Sequence, residues 1–260
     1  MSTHRKPEMT YQHLRYEERE GVALITFNRP ASRNAWNVAL VSELIAAVHR
    51  ANGSHEIRVI VMTGEGSVYS AGADIKAPPE PKDANGRSPN PSTLTMGQDD
   101  NNWLKLLSKS KPVIAAINGP AIGLGATHIL SADIRVAAES ATFSFPFVRL
   151  GAMPECGATA LLARLVGFGR AMDLSLRAAQ ISAAEALRIG LITSIFPDET
   201  FMHDALALAH QIAAFPALQV KLTKQMLWDN VGEFDAETIM RRESTVFVEM
   251  LRTLRRPKPL

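Results

Sequence analysis

The chain has 260 residues, enough for one large domain or a domain with a smaller appendage. It is 46% hydrophobic and 21% charged, which predicts a packed globular core, and a net charge of +2 with scattered basic residues does not make the stripe that nucleic acid requires. The single cysteine, Cys156, excludes an intrachain disulfide and fits a cytoplasmic protein.

In chain order, residues 11–27 read as a hairpin, with Tyr11 to Glu18 and Val22 to Phe27 flanking a turn at Glu20-Gly21. Asn28-Arg29-Pro30 breaks it, and Val38, Val41, Leu44, Ile45 and Val48 give residues 38–51 the spacing of an amphipathic helix. Val59 to Thr63 is a buried strand. Residues 77–97 are rich in Pro, Asn, Gly, Ser and Asp, which predicts a mobile surface loop. Asn102 to Ser108 restarts a helix, Val113 to Ile117 is a strand, Ala126 to Ala132 a helix and Ile134 to Ala138 a strand. Helices follow over Ala158 to Val166, Gly169 to Leu176 and Ala183 to Ile189, then a last strand over Leu191 to Phe196. Beyond Pro197 the pattern is helical: Thr200 to Ala214, Ala217 to Leu227 and Ala236 to Leu254. The alternation predicts an α/β core domain over 1–198 and a helical C-terminal oligomerisation region over 199–260. No apolar run reaches the ~18 residues of a membrane helix, and the polar first ten residues do not read as a secretory signal.

Two small-residue turns stand out. Ser70-Ala71-Gly72-Ala73-Asp74 and Asn118-Gly119-Pro120-Ala121-Ile122-Gly123-Leu124-Gly125-Ala126 each follow a β-branched run and lead toward a helix. Backbone N–H groups at a helix start lack intrahelical partners, and the dipole favours negative charge there. Two such turns converging on one oxygen make an oxyanion hole, which stabilises an enolate or a tetrahedral intermediate. The glycine spacing, Gly119-x-x-x-Gly123-x-Gly125, is not the Gly-x-Gly-x-x-Gly of a dinucleotide fold.

Along nearly its whole length the chain resembles the crotonase superfamily, the enoyl-CoA hydratase/isomerase fold. The matching pieces are Phe27-Asn28-Arg29-Pro30 with Asn34-Ala35, Ser70 to Ile75, Pro112 to Gly119, Gly123-Leu124-Gly125, Ala132-Asp133-Ile134, Ala141-Thr142-Phe143, Leu150-Gly151 and Ala186 through Leu191, in order. The resemblance implies an α/β, ClpP/crotonase-like fold of repeated ββα units forming two sheets, with a helical C-terminal region. It implies an acyl-CoA thioester as substrate, no further cofactor, no metal, and assembly as a homotrimer or a dimer of trimers. On the matching positions the oxyanion donors are the N–H groups of Ala71 and Leu124. The expected CoA contacts are Arg29, Arg33, Ala35, Ala71, Ala73, Asp74, Ile75 and Gly125, with Trp36 a candidate to flank the adenine.

Hydratases of this family use two glutamates. Here the two positions hold Thr127 and Phe147, which take no proton near pH 7. Leu150-Gly151-Ala152-Met153-Pro154-Glu155-Cys156-Gly157 instead resembles the segment in which Δ3,Δ2-enoyl-CoA isomerases carry a single glutamate. One carboxylate suffices to remove a proton from C2 and return it at C4 if the dienolate oxygen is held meanwhile. Glu155 is thus the expected base, its carboxyl raised by desolvation against Met153 and Phe147; a charge at the start of the following helix is the bland reading. His128 reads as a packed or partner-facing histidine, Cys156 as an inert buried thiol, Asp74 as a helix cap and Asp133 as structural. Trp103 and Leu104 are candidates to line the acyl pocket. The basic tail Arg252, Arg255, Arg256 and Lys258 reads as solvated, and it follows a final segment shorter than the family's. Hydratase or lyase chemistry on the same scaffold, and a non-catalytic acyl-CoA-binding subunit, remain the alternatives.

Overall fold

Strands form where apolar residues run without interruption, because both faces of the sheet they build are covered. The computed structural model describes residues 10–76 and 102–255; the loop predicted over 77–97, Arg256 and Lys258 lie outside the described residues. The main sheet has six strands: β1 (Leu14–Arg19), β2 (Val22–Phe27), β3 (Val59–Gly64), β4 (Val113–Ile117), β6 (Ile134–Ala138) and β9 (Ser194–Phe196). β1 pairs antiparallel with β2 through the predicted turn at Glu20-Gly21, and every later pairing is parallel. A smaller sheet joins β5 (Ala121–Ile122), β7 (Thr142–Ser144) and β8 (Gln180–Ser182).

Successive side chains of a strand point to opposite faces. Ala23, Ile25, Ile60, Met62, Val113 and Ala115 therefore face one core, shared with α1 (Val38–Gly53) and α2 (Trp103–Lys109). Val22, Leu24, Val59, Val61, Ile114, Ala116 and Val136 face the other. That second face is covered by α7 (Phe201–Ala213) through Phe201, Ala205 and Ala209, one residue per turn. A boundary at residue 198 therefore separates the sheet from a helix that covers it: α7, assigned from sequence to the C-terminal region, packs as part of the core. The remaining helices are α4 (Ala158–Val166), α5 (Phe168–Arg177), α6 (Ala183–Arg188), α8 (Ala217–Asn230) and α9 (Ala236–Arg255).

α8 is fastened by a buried cation. The Lys224 ammonium donates to the carbonyls of Leu107 (2.6 Å) and Lys111 (3.1 Å) and to Asp133 Oδ2 (2.7 Å), and Trp228 Nε1 donates to Asp133 Oδ1 (3.0 Å). Asp133 also accepts the Val113 N–H at 2.7 Å, so it is structural, as its place at the head of a strand implied.

The elements after the two turns differ from expectation, and the first and last strands, β1 and β9, each start three residues later than predicted. The helix after the second turn starts earlier than expected, as α3 (Leu124–Thr127), and tightens into a 3-10 turn over His128–Ser131. After the first turn no helix begins among the described residues: Ala73 forms a parallel bridge with Trp36, and a turn follows at Ile75-Lys76. The Trp36 N–H donates to the Gly72 carbonyl (2.7 Å) and the Asp74 N–H to the Trp36 carbonyl (2.8 Å), which holds that stretch extended.

The small residues of the turns serve close approach. A Cβ on Gly125 would lie 2.6 Å from the Ser70 carbonyl oxygen and 2.7 Å from Ser70 Cβ. Gly125→Ala should therefore lower stability by about 1–3 kcal/mol through overpacking. Gly53→Ala, at a helical glycine with nothing within 4 Å of the added Cβ, should stay within about 1 kcal/mol of wild type. Urea denaturation of the two variants compares them directly.

Candidate active site

Two asparagines stitch the turns to the sheet. Asn34 is fully buried with φ of 52°; its amide nitrogen donates to the carbonyls of Glu65 (2.9 Å) and Val68 (2.7 Å), and its side-chain oxygen accepts the Arg29 N–H (3.0 Å). Asn118 Oδ1 accepts the Gly64 N–H at 3.0 Å, and its amide nitrogen donates to the carbonyls of Gly64 (2.9 Å) and Gly66 (2.7 Å). Sequence reasoning placed both within motifs without a role. The available signal was an amide side chain beside a turn of small residues, where it satisfies backbone groups that no ladder reaches.

The turns meet directly. The Ser70 N–H donates to the Pro120 carbonyl (3.1 Å) and the Ile122 N–H to the Ser70 carbonyl (2.9 Å). A Cβ on Gly72 would lie 2.6 Å from the Ile122 carbonyl oxygen and 3.3 Å from the Leu124 nitrogen. Gly123, at φ 55° and ψ −120°, adopts a conformation open to glycine and delivers Leu124 as the first residue of α3. The Leu124 side chain is buried in the core, leaving its N–H as the functional candidate.

The expected donor Ala71 is already spent: its N–H donates to the Arg33 carbonyl at 3.0 Å. The N–H of Ala73, two residues on, has no hydrogen bond among the described residues, and neither has that of Leu124. Ala73 and Leu124 thus replace Ala71 and Leu124 as the available pair.

The expected CoA contacts divide. Arg33, Ala73 and Ile75 are exposed, Ile75 at 80%. Ala35 and Gly125 are buried, and Gly125 packs on Ser70. Arg29 is engaged within the protein: its guanidinium donates to Asp74 Oδ2 at 2.9 Å and to the Ala35 carbonyl. Asp74 accordingly acts as the partner of Arg29, and its other oxygen accepts the Lys76 N–H (3.2 Å); the segment that it was expected to cap lies outside the described residues. Trp36 and Trp103 are fully buried and belong to the core.

Thr127 is fully buried on α3, and its hydroxyl donates to the Leu124 carbonyl at 3.3 Å. Phe147 is also buried, at the start of a 3-10 turn over Phe147–Leu150. Glu155 is half-buried on the loop before α4, and its carbonyl accepts the Ala158 N–H (3.1 Å). Met153 does not shield it as expected, being 70% exposed. Cys156 and Gly157 follow with φ of 58° and 75°, and a Cβ on Gly157 would lie 3.4 Å from the Leu104 side chain. Burial, aided by the Glu155 charge, pushes the Cys156 thiol up to about 12 against the opposing effect of a hydrogen bond with Thr127. That hydrogen bond connects the Glu155 loop to the helix of the second turn. No group of three His, Cys, Asp or Glu side chains among the described residues is arranged to hold a metal ion.

Comparison with known proteins follows the same geometry. Residues 17–258 match the enoyl-CoA hydratase/isomerase family. The chain is 41% identical over 217 residues to the probable enoyl-CoA hydratase of Rhodobacter capsulatus, covering 84% of this chain and 81% of that protein. It is 36% identical over 209 residues to the 1,2-epoxyphenylacetyl-CoA isomerase of Escherichia coli, covering 80% and 79%. A Thermobifida fusca structure named for enoyl-CoA hydratase activity and solved in complex with CoA superposes with a TM-score of 0.81 at 33% identity, covering 93% of this chain and 94% of that one. Hydratase names recur among the matched relatives, and a special closeness to Δ3,Δ2-enoyl-CoA isomerases is not what these matches display.

Two measurements check the local chemistry. Arg29→Met and Asp74→Asn should each lower stability by about 1–3 kcal/mol, with the double variant losing less than the sum, because each single change removes one charge of the same largely buried ion pair. Cys156, held as the thiol, should react with iodoacetamide at pH 8 at least about 100-fold more slowly in the folded protein than in urea, read by mass spectrometry.

Proposed function

The chain belongs to the enoyl-CoA hydratase/isomerase family, and from that premise we propose that it shifts a double bond within an enoyl-CoA thioester in the cytoplasm. Glu155 is the single proton carrier, and the N–H groups of Ala73 and Leu124 hold the thioester oxygen. The observation that supports this reading is the pair of buried, non-ionisable side chains at Thr127 and Phe147, with Glu155 beside Cys156, whose thiol is hydrogen-bonded to Thr127. The Glu155 carboxylate removes a proton from C2 of the 3-enoyl thioester. The electron pair left behind delocalises onto the thioester oxygen, where two N–H donors stabilise the dienolate. The same carboxylic acid then returns the proton at C4, which leaves the double bond between C2 and C3 and regenerates the carboxylate. Arg33 and the exposed Ile75 are the proposed CoA contacts. No cofactor beyond the acyl-CoA substrate enters this cycle.

Hydration of a 2-enoyl-CoA is the second reading, favoured by the hydratase names of the relatives. It requires one group to activate water and another to protonate carbon, and neither Thr127 nor Phe147 supplies an acid or base. We assign to α8 and α9 the packing of further copies in a homotrimer or a dimer of trimers, since Leu227, Val231, Phe234, Met240 and Phe247 remain exposed on and between them.

The deciding assay follows 3-enoyl-CoA and 2-enoyl-CoA spectrophotometrically with wild type and Glu155→Gln. Isomerisation by wild type should fall by about 10²–10⁴ in the variant while thioester binding persists. Robust hydration that ignores Glu155 would reverse the order of the two readings. Binding with neither reaction would favour a non-catalytic acyl-CoA-binding subunit.

A further inference from the structure

Four rings from four separate segments enclose His128. Its imidazole lies 4.4 Å from the Trp36 ring, stacks on Tyr69 at 5.5 Å and 7°, and is flanked by Phe27 at 5.8 Å and Trp103 at 6.0 Å. His128 is 1% exposed, and among the described residues neither ring nitrogen has a hydrogen-bond partner. The Trp36 Nε1 and the Tyr69 hydroxyl, both buried, are without one as well. Burial depresses His128 to about 3, so the ring is neutral at physiological pH. Among the described residues its nitrogens thus make no hydrogen bond, and the ring carries no charge. What remains is a flat, rigid wedge.

The wedge touches what holds the two candidate donors. Trp36 pins Ala73 from both sides, donating its N–H to the Gly72 carbonyl and accepting the Asp74 N–H. Tyr69 precedes Ser70, whose backbone bonds to Pro120 and Ile122 on the second turn. His128 ends α3, its N–H donating to the Leu124 carbonyl one helical turn from the Leu124 N–H. Its own carbonyl accepts from Trp103 Nε1 (3.1 Å) and from the Ser131 hydroxyl (2.9 Å), so the ring and the helix are anchored together.

We propose that His128 is a positioning residue for the oxyanion hole: the faces of its ring, wedged against Trp36 and Tyr69, fix the spacing between the N–H groups of Ala73 and Leu124. This rests on the oxyanion reading given above. The test therefore reads the polarised carbonyl directly as well as turnover. Butyryl-CoA labelled with carbon-13 at the carbonyl is bound to wild type, His128→Phe and His128→Leu. Hydrogen bonds to the oxygen draw density from the carbonyl carbon and move its resonance downfield. Wild type and His128→Phe, which keeps a flat ring, should show that displacement. His128→Leu, close in volume but branched, should lose about half of it or more, with kcat down about tenfold and the dissociation constant within about threefold. Both variants should melt within about 4 °C of wild type, since the His128 ring makes no hydrogen bond among the described residues.

Full displacement and wild-type turnover in His128→Leu would overturn the proposal, as would losses of displacement, affinity and melting temperature in parallel in both variants. A wild type that binds butyryl-CoA with no displacement would remove the oxyanion reading and the proposal with it. A wild type that shows the displacement without isomerising would remove the isomerase assignment alone, and His128→Leu would still be judged by its resonance.

Discussion

The two turns at the candidate site approach so closely that a methyl group on Gly72 would come within 2.6 Å of the Ile122 carbonyl oxygen, and one on Gly125 within 2.6 Å of the Ser70 carbonyl oxygen. Much else in the neighbourhood depends on that contact. A glycine within a helix costs roughly 1 kcal/mol relative to alanine, yet Gly125 sits in α3 because a larger residue would separate the turns. Ser70 then has room to bond both Pro120 and Ile122, which aligns the first turn with the smaller sheet. The N–H groups of Ala73 and Leu124 are brought onto adjoining segments by this packing.

Around that contact the structure spends polar groups with little slack. Asn34, Asn118 and the Arg29–Asp74 pair tie three chain segments together through backbone carbonyls and N–H groups that lie at strand ends, beyond the reach of the ladder. The exception is the ring cluster at His128, where several buried polar atoms lack partners among the described residues. Such atoms cost on the order of 1–3 kcal/mol each. They sit between the segments that carry the two N–H groups left without a hydrogen bond among the described residues, a place where rigidity is worth more to a reaction than stability is to the fold.

The proposed chemistry rests on how few ionisable groups among the described residues share this neighbourhood. Thr127 and Phe147 are neutral and buried, His128 is neutral because of its burial, and Cys156 is held as a thiol. Among the described residues Glu155 is the carboxylate whose charge acts on Cys156. A double-bond shift consumes no water and ends with every proton returned, so one carboxylate and one oxyanion hole meet its needs. Hydration asks for two proton-transfer events on different atoms, and for that the surroundings offer less.

The sequence by itself determined the strands, most helix positions and the pair of small-residue turns, because β-branched runs, periodic apolar spacing and glycine each act through local sterics; the fold family was legible only through the resemblance of its motifs. Val59 to Thr63 and Ala158 to Val166 could be read from their side chains alone, and the structure has them as β3 and α4. The choice between Ala71 and Ala73 could not. In an extended chain the N–H groups of residues i and i+2 point the same way, so nothing local told the expected donor Ala71 from Ala73; the Arg33 carbonyl, nearly forty residues away in sequence, took the first. Arg29 likewise has the charge for a phosphate, and its engagement with Asp74 depends on a fold that brings residues 45 apart to 2.9 Å. The same holds for α7, whose alanine stripe suits another subunit or the chain's own sheet equally well. Only the tertiary structure decided these points, since each turns on which distant backbone or side-chain group arrives first at a donor, a charge or an apolar face.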